Sequence, residues 1–360
     1  MIDNGKISIR QVCVMFILVT LSPAIRLFPL ISSRYGGGAG WIAPIIGSFG
    51  LIAVIAVLHA IFKGGRVSDL ADAFDKSLGR KTGKVLLTIY LLWTLLLFLL
   101  YVRYYAERLA SSLFTSVNLD FFIIAMMIVV FFAARLRLTA LARFSEISVL
   151  VFAAIFAVFF VLLIPTFRVE NVLPVTHYDA VPILRSSYPI VSVWGFITLL
   201  FFLNVENVRD MKKHARNTVL ILVPATVLML FLVIGSLGAD VAMRMSLPFF
   251  RVSRLIDVMQ PFDRFEAILS SVWVIADFIL ITVFAFVIMG ISKKLFSLSE
   301  PRFLAGPIAL FGYAGSMVLA ANVFELEQFS NSPVPHAVNI ALCIVIPAAA
   351  LGVGKMRGRL

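Results

Sequence analysis

Charged residues are scarce in this sequence of 360 residues, since Asp, Glu, Lys and Arg make up 14 % whereas hydrophobic residues make up 61 %. A soluble domain ordinarily contains about 25 % charged residues. The apolar runs are continuous rather than short and alternating, which argues against a transmembrane β-barrel. The composition therefore predicts an all-α membrane protein that crosses the bilayer several times.

Cysteine and histidine are also scarce, with two Cys and four His. Cys13 and Cys343 fall within apolar runs, where a thiol behaves as a small hydrophobic group, and we expect no disulfide between them. The histidines are scattered without metal-ligand spacing, and no nucleophile lies near a base in a catalytic pattern. We therefore expect no metal, no cofactor and no catalytic residues, and the protein is not predicted to be an enzyme.

Acidic residues are outnumbered, with 19 Asp and Glu against 31 Lys and Arg and a net charge of +12. A basic balance can indicate nucleic-acid binding. Here most basic residues fall in alternate loops between apolar runs, as membrane topology requires. By the positive-inside rule, these loops and both termini are predicted to be cytoplasmic. We expect the lipid bilayer as the surroundings of the protein and no nucleic-acid partner.

Ten apolar runs are long enough to cross a bilayer, whose core of about 30 Å needs roughly 20 residues per helix. We predict a single membrane domain over residues 1–360, with halves at about 8–165 and 185–357. The predicted spans are 12–31, 41–62, 85–105, 119–134, 147–164, 188–203, 219–237, 267–289, 303–321 and 337–351.

The first and sixth spans each contain a pattern that interrupts helices. Ser22–Pro23 lies in the middle of the first span, and Pro189 and Trp194–Gly195 lie in the sixth. Proline removes one helical hydrogen bond, and in lipid the freed groups need protein or a water-filled cavity. Matching interruptions in two halves are typical of inverted-repeat transporters with a ligand site at the breaks. We predict a five-plus-five, LeuT-like fold with broken helices 1 and 6.

The predicted ligand site lies at these two breaks. Unwound backbone at 22–25 would offer N–H groups to a ligand carboxylate, although a simple proline kink is the alternative. The segment 194–196 would allow close backbone approach between aromatic walls, although ordinary helix packing is the alternative. Tyr101, Trp273 and Asp277 are second choices, and both aromatics also suit packing. The predicted ligand-binding residues are Ser22, Pro23, Ala24, Ile25, Tyr101, Trp194, Gly195, Phe196, Trp273 and Asp277.

Arg26 places a positive charge within the first span. An unpaired arginine at this depth costs at least about 2.5 kcal/mol on insertion scales. We therefore predict a structural ion pair between Arg26 and either Asp277 or Glu107. Direct binding of a ligand carboxylate by the Arg26 fork is the alternative.

Several stretches resemble the B subunit of spore-germination nutrient receptors, the GerAB-like endospore permeases of the amino acid–polyamine–organocation superfamily. The opening KISIRQVCVMFILVTLSPAIRLFP with GWIAPIIG is similar to the start of that family. The resemblance continues in order along the chain through ALARFSEI, VWGFITLLFFLNVENVRDMKKH, FDRFEAILSSVWVIADF and VIPAAALGVGKMR. Two positions depart from the family pattern: Ile197 stands where an acidic residue often follows the sixth-helix Gly-aromatic pair, and Arg26 is unusual in the first span.

The resemblance implies a ten-helix fold in the spore inner membrane and assembly with an A subunit and a C lipoprotein. It also implies that the protein senses a small nutrient, such as an amino acid, and thereby triggers germination. The departures at Arg26 and Ile197 indicate a ligand different from a neutral amino acid. A secondary active transporter of amino acids or amines is the alternative, because the fold does not separate the two functions. A scaffold with a vestigial pocket is a third hypothesis.

Overall fold

Long apolar runs form helices here because a helix satisfies all backbone hydrogen bonds within one segment, as lipid requires. The computed structural model describes residues 6–65, 67–112, 116–206, 208–256 and 265–359. The described chain is nearly all-α, with two short strands, β1 (Ile7–Ser8) and β2 (Val205–Glu206). Its helices are α1 (Ile9–Gly36), α2 (Ala43–Phe62), α3 (Leu70–Leu78), α4 (Arg80–Ser112), α5 (Leu119–Arg135), α6 (Leu138–Leu163), α7 (Ala180–Trp194), α8 (Ile197–Leu200), α9 (Met211–Leu237), α10 (Ala239–Ala242), α11 (Pro248–Ser253), α12 (Phe265–Phe296), α13 (Ala305–Val318), α14 (Val323–Asn331), α15 (Pro333–Ile340) and α16 (Ile346–Met356).

Within the described residues, seven helical segments are long and apolar enough to cross a membrane, or eight if α13 and α14 form one bent span. The first segment, Ile9–Phe62, contains both α1 and α2. Both α1 and α2 pack against α7, which has 15 residues. The protein is therefore a multi-pass helical membrane protein.

The central helix is α1, which packs against α6, α7, α9 and α12. Every residue from 22 to 33 in this helix is buried. The helix continues through Pro23 and Pro29 without interruption, so the predicted break at Ser22–Pro23 is wrong. Each proline removes one hydrogen bond, but the surrounding helices hold the remaining turns in place.

The break predicted in the sixth span is confirmed, because α7 ends at Trp194 and α8 begins at Ile197. The chain tightens here: the Phe196 N–H bonds to the Val193 carbonyl at 3.1 Å, and the Thr198 N–H bonds to the Gly195 carbonyl at 2.9 Å. These bonds span three residues, as in a 3₁₀ turn. The sixth span therefore changes its helical geometry in its middle.

A π-helical turn at Ala341–Val345 in the last helical segment lies against this break. A Cβ atom added to Gly195 would lie 2.9 Å from the Cβ of Cys343, so only glycine allows this close approach. The Thr198 hydroxyl donates to the Cys343 carbonyl at 2.7 Å, and the Tyr90 hydroxyl donates to the Leu342 carbonyl. Side-chain hydroxyls thus satisfy carbonyl groups at the point where two irregular helices meet.

One end of the bundle, here called the basic end, gathers turns that are rich in Lys and Arg. The strands β1 and β2 pair in parallel there, which ties the start of α1 to the segment after α8. The short helix α3 is joined to α8 by a bond from the Leu70 N–H to the Phe201 carbonyl at 2.8 Å. Lys294 at the end of α12 pairs with the buried Asp69 at 3.0 Å. These contacts connect α1, α3, α8 and α12 at the basic end.

The opposite end is covered by short helices. Both α10 and α11 pack against α1, and α14 packs against α4. The chain bends by 99° between the segments Pro301–Val318 and Val323–Asn331, which turns α14 across the bundle. Residues 257–264, between α11 and α12, lie outside the described part of the chain.

Candidate functional site

A cluster of polar side chains lies deep in the bundle around Asp277 of α12. The Ser22 hydroxyl and the Arg108 guanidinium both donate to the Asp277 carboxylate. The Trp273 Nε1–H donates to the Ser22 hydroxyl oxygen at 2.9 Å. None of these four residues is more than 5 % exposed. We call Ser22, Arg108, Trp273 and Asp277 the polar centre.

Three helices position the polar centre. Trp273 and Asp277 lie four residues apart on α12 and therefore share one face of that helix. Arg108 comes from the last turns of α4, which packs closely along α12. Its guanidinium carbon lies 4.2 Å from the centroid of the Trp273 ring. The arginine is thus held by both a carboxylate and an aromatic face.

Arg26 lies one helical turn beyond Ser22 on the same face of α1. Its guanidinium carbon stacks 3.5 Å from the centroid of the Tyr104 ring of α4. The Tyr104 hydroxyl donates to the Leu326 carbonyl at 2.9 Å and bonds to the Ser330 hydroxyl at 2.5 Å. The Arg26 guanidinium therefore stacks on a tyrosine whose hydroxyl forms hydrogen bonds with α14.

The predicted ion pair of Arg26 is wrong. Asp277 pairs with Arg108, and Glu107 pairs with Arg103 at 3.0 Å, four residues earlier on α4. No acidic group in the described part of the chain pairs with Arg26, and its Nε atom is buried without a hydrogen-bond partner there. Both candidate acids were already satisfied by other arginines that lie closer to them.

An aromatic wall adjoins the polar centre. The rings of Tyr101 of α4, Phe196 and Phe284 form a triangle, in which the Tyr101 centroid lies 6.3 Å from that of Phe196 and 5.9 Å from that of Phe284. The rings of Phe196 and Phe284 are 5.6 Å apart and nearly perpendicular. Tyr101 lies one helical turn from Tyr104 and two turns from Arg108 on α4, so the wall adjoins the polar centre. Phe196, the residue at the break, thus reaches the neighbourhood of the site.

Trp194 and Gly195 contact other elements. The Trp194 ring packs edge-on against Phe28, with centroids 6.5 Å apart, and lies 3.4 Å from the position of a Cβ atom on Gly47. Gly195 packs against Cys343. These two predicted site residues therefore join α7 to α1, α2 and the last helical segment.

The predicted stretch from Ser22 to Ile25 is divided among different surroundings. An α-helix rotates by about 100° per residue, so four consecutive residues of a continuous helix face different directions. Ser22 joins the polar centre, whereas Ala24 lines an apolar groove of about 140 Å³ with Phe152 and Leu222. Pro23 and Ile25 are buried elsewhere around α1.

Arg108 and Tyr104 are functional candidates that sequence reasoning missed. The predicted third span ended at residue 105, whereas α4 continues to Ser112. A signal was present in the spacing, because Tyr101, Tyr104, Tyr105 and Arg108 recur at intervals that place them on one helical face. Following this helical periodicity from the apolar run to Arg108 would have identified both residues.

Open space lies at the basic end. A cavity of about 670 Å³ is lined by basic side chains that include Lys6, Lys63 and Lys212, and it borders β2. A second cavity of about 440 Å³ borders Phe202 and Met289. The segment that follows the break therefore lies beside open space, whereas the polar centre is closely packed. Across the described ranges, no group of three or more His, Cys, Asp or Glu residues could hold a metal ion.

Sequence comparison gives this arrangement a context. Residues 6–323 match the family described as spore germination proteins, the spore permeases. The chain belongs to this family. Spore germination protein KB of Bacillus subtilis (strain 168) is 23 % identical over 354 residues, which cover 96 % of this chain and 93 % of that protein. The resemblance inferred from the motifs is thereby confirmed.

Every residue of the polar centre, together with Arg26 and Tyr104, lies within the part of the chain that matches the spore germination family. The family comprises permease-like membrane proteins rather than enzymes.

Proposed function

We propose that this member of the spore germination family senses a small nutrient, an amino acid, as the membrane-embedded B subunit of a germination receptor. The observation that carries the proposal is the polar centre, a buried group of charged and hydroxyl side chains in an otherwise apolar bundle. Ionisable side chains within a membrane are costly and are usually retained for function.

The proposed binding region lies between α1, α4 and α12, with Phe196 of the sixth span at its side. The Asp277 carboxylate accepts from Ser22 and Arg108 and retains further acceptor sites, since two carboxylate oxygens offer about four lone pairs. It can therefore accept from a ligand ammonium group as well. The aromatic wall formed by Tyr101, Phe196 and Phe284 would contact the apolar part of the ligand.

The proposed architecture keeps ten spans in two inverted halves with both termini in the cytoplasm. Three additions extend the seven segments to ten. The first segment is divided into α1 and α2, α5 is counted as a span, and α13 and α14 together form one bent span. With 17 residues, α5 is at the lower limit for a spanning helix. The gathering of Lys and Arg at one end supports the cytoplasmic assignment of that end. We place the protein in the spore inner membrane with A and C subunits as partners.

The proposed mechanism is a population shift. A nutrient at the polar centre would favour one arrangement of α1 against α4 and α12. Phe196 would pass this change to α8. The strand β2, which follows α8, pairs with β1 and borders the cavity of about 670 Å³ at the basic end. The basic end would then change its contacts with the partner subunits.

Germination of spores that carry Asp277→Asn tests the proposal. We expect loss of the response to the amino acid germinant, measured by optical density and release of dipicolinic acid, with the protein still present in membrane immunoblots. Ser22→Ala provides a milder second variant, and Asp240→Asn, at an exposed position, is the matched control. Normal germination in both Asp277→Asn and Ser22→Ala spores would contradict a binding role for the polar centre.

The alternative is a secondary transporter of amino acids or amines, and one observation favours it. Asp277 is a deeply buried acid that is paired with a basic group, an arrangement that transporters use in proton relays. Uptake of labelled amino acids by proteoliposomes, abolished by an uncoupler, would support transport. Loss of germination without loss of uptake would support the receptor.

A further inference from the structure

The cavity of about 670 Å³ at the basic end gathers basic groups around open space. These groups are three lysines and one histidine, namely Lys6, His59, Lys63 and Lys212. No Asp or Glu is among the described residues that line the cavity. Glu206 and Asp210 are close by in the sequence, but both are exposed and neither belongs to the lining. The charged groups of the lining therefore have a single sign.

These lysines are not neutralised within the described chain. None of Lys6, Lys63 and Lys212 takes part in an ion pair there. By contrast, Lys294 at the same end pairs with the buried Asp69 at 3.0 Å. A cleft that is lined by one sign of charge concentrates counter-ions. The arrangement therefore favours a bound anion.

Three helices bring the basic groups together. Lys63 directly follows α2, and its N–H bonds to the His59 carbonyl at 2.8 Å, so both side chains lie on one helical face. Lys6 precedes β1 at the start of α1, and Lys212 lies in the first turn of α9. Because α9 packs against both α1 and α2, the three lysines surround one space. The His59 Nδ1 atom is buried without a hydrogen-bond partner in the described chain, so it is available to a ligand.

The depth of the cavity indicates which anion it meets. Two spanning segments, Ile9–Phe62 and Met211–Leu237, have ends at the cavity. Lys63 follows the first segment, and Lys212 lies in the first turn of the other. Residues at the ends of spanning helices lie where lipid headgroups meet water. The lysines are therefore at the level of the lipid phosphates.

Apolar groups continue from the cavity along the bundle. The lining includes apolar side chains, among them Phe62 and Val205. Further along the spans, α2 exposes Ile52 and α9 exposes Leu220. A phospholipid presents its parts in the same order, with a charged phosphate beside apolar chains. A free anion would contact only the basic groups, so the surroundings favour a lipid.

We propose that this cavity binds the headgroup of an anionic phospholipid, with Lys6, Lys63 and Lys212 around its phosphate. Basic pockets between membrane helices at the cytoplasmic face bind such headgroups. In the tautomer that carries its proton on Nδ1, His59 donates a hydrogen bond to a phosphate oxygen. The cavity shares no residue with the polar centre. The inference therefore goes beyond the proposed function and does not depend on it.

The test titrates phospholipid onto the full-length protein in detergent and measures bound lipid by native mass spectrometry. It compares phosphatidylglycerol, which has one net negative charge, with phosphatidylcholine, which carries the same phosphate and the same acyl chains without net charge. Each lysine near an anionic lipid contributes roughly fivefold to affinity. We therefore expect phosphatidylglycerol to bind at least about 10-fold more tightly than phosphatidylcholine.

Substitutions locate the binding. Lys63→Gln combined with Lys212→Gln should weaken phosphatidylglycerol binding by at least about 10-fold. The matched control combines Lys84→Gln with Lys213→Gln, which removes two exposed lysines from the same end that do not line the cavity, and it should retain the binding. Lys63→Arg combined with Lys212→Arg keeps both charges and should retain it as well. Thermal unfolding without lipid verifies that the variants are folded.

Several results would overturn the inference. Equal affinity for the two phospholipids would show that the cavity does not recognise charge. Equal losses in the two glutamine double variants would show a general attraction of the basic end to anionic lipid, without a site. Displacement of phosphatidylglycerol by inorganic phosphate at the same concentration would identify a free anion as the ligand. Tighter binding of hexaglutamate than of phosphatidylglycerol would identify an acidic protein segment instead.

Discussion

The first and sixth spans both carry helix-disrupting residues, yet only one of them is interrupted. Two prolines lie within α1, which continues unbroken for 28 residues. The sixth span has Pro189 inside α7 and nevertheless ends that helix only at Trp194, beside Gly195. Proline is therefore tolerated in both spans, and the interruption falls where a glycine meets another helix closely.

This difference shows what determines a break in this bundle. The prolines of α1 lie in a stretch that is buried on all sides, so packing holds the helix together. At Gly195 the chain passes within contact of the π-helical turn, and the Thr198 hydroxyl bonds to a carbonyl of that turn. A break therefore forms where a neighbouring segment supplies partners for the irregular backbone.

The largest expected effect comes from the polar centre, which holds α1 against α12. Asp277→Ala would leave Arg108 buried without its carboxylate and should lower the free energy of unfolding by about 3–5 kcal/mol. Thermal unfolding in nanodiscs provides the measurement. Replacing both partners, Asp277→Leu with Arg108→Met, should recover most of the loss. A double variant no more stable than Asp277→Ala would contradict the pairing.

A smaller effect is expected at the break itself. Gly195→Ala places a methyl group 2.9 Å from the Cβ of Cys343 and should cost about 1–3 kcal/mol through overpacking. Gly352→Ala is the matched control, because nothing lies within 4 Å of its added Cβ atom. Unfolding of the two variants under identical conditions gives the comparison. Equal stability would show that Gly195 is not closely packed.

The smallest effect concerns the hydrogen bond between the two irregular segments. Thr198→Val removes the donor to the Cys343 carbonyl and should cost about 0.5–1.5 kcal/mol. Thr226→Val is a suitable control, since its hydroxyl donates to the Leu222 carbonyl of its own helix, α9. Hydrogen exchange of the 341–345 backbone should accelerate in the first variant alone. Unchanged exchange would argue that this bond does not hold the turn.

Composition and periodicity were sufficient to predict the helical membrane class and part of the polar centre. Asp277 was predicted because an acid within an apolar span is conspicuous, whereas Ser22 was predicted from the expected break at Ser22–Pro23, which the structure does not contain. The partner of Asp277 was not predicted, because Arg108 lies beyond the predicted third span. Hydropathy identifies the apolar residues of a span but not the helical turns that continue after them. The continuity of α1 also escaped prediction, because the effect of a proline depends on helices distant in sequence. Helix packing, which no local pattern encodes, decided the continuity of α1, whereas the helical spacing of Tyr101, Tyr104, Tyr105 and Arg108 would have identified Arg108.

The central claim is that a nutrient binds at the polar centre rather than at the break. One tryptophan lies at each of these two places, so tryptophan fluorescence can distinguish them. Trp273 belongs to the polar centre, whereas Trp194 lies beside Gly195. The measurement is the change in tryptophan emission of the full-length protein with whichever of L-alanine, L-glutamine and L-glutamate gives the largest response. We predict that the response is lost in Trp273→Phe and retained in Trp194→Phe. A response that persists in Trp273→Phe and disappears in Trp194→Phe would contradict the claim.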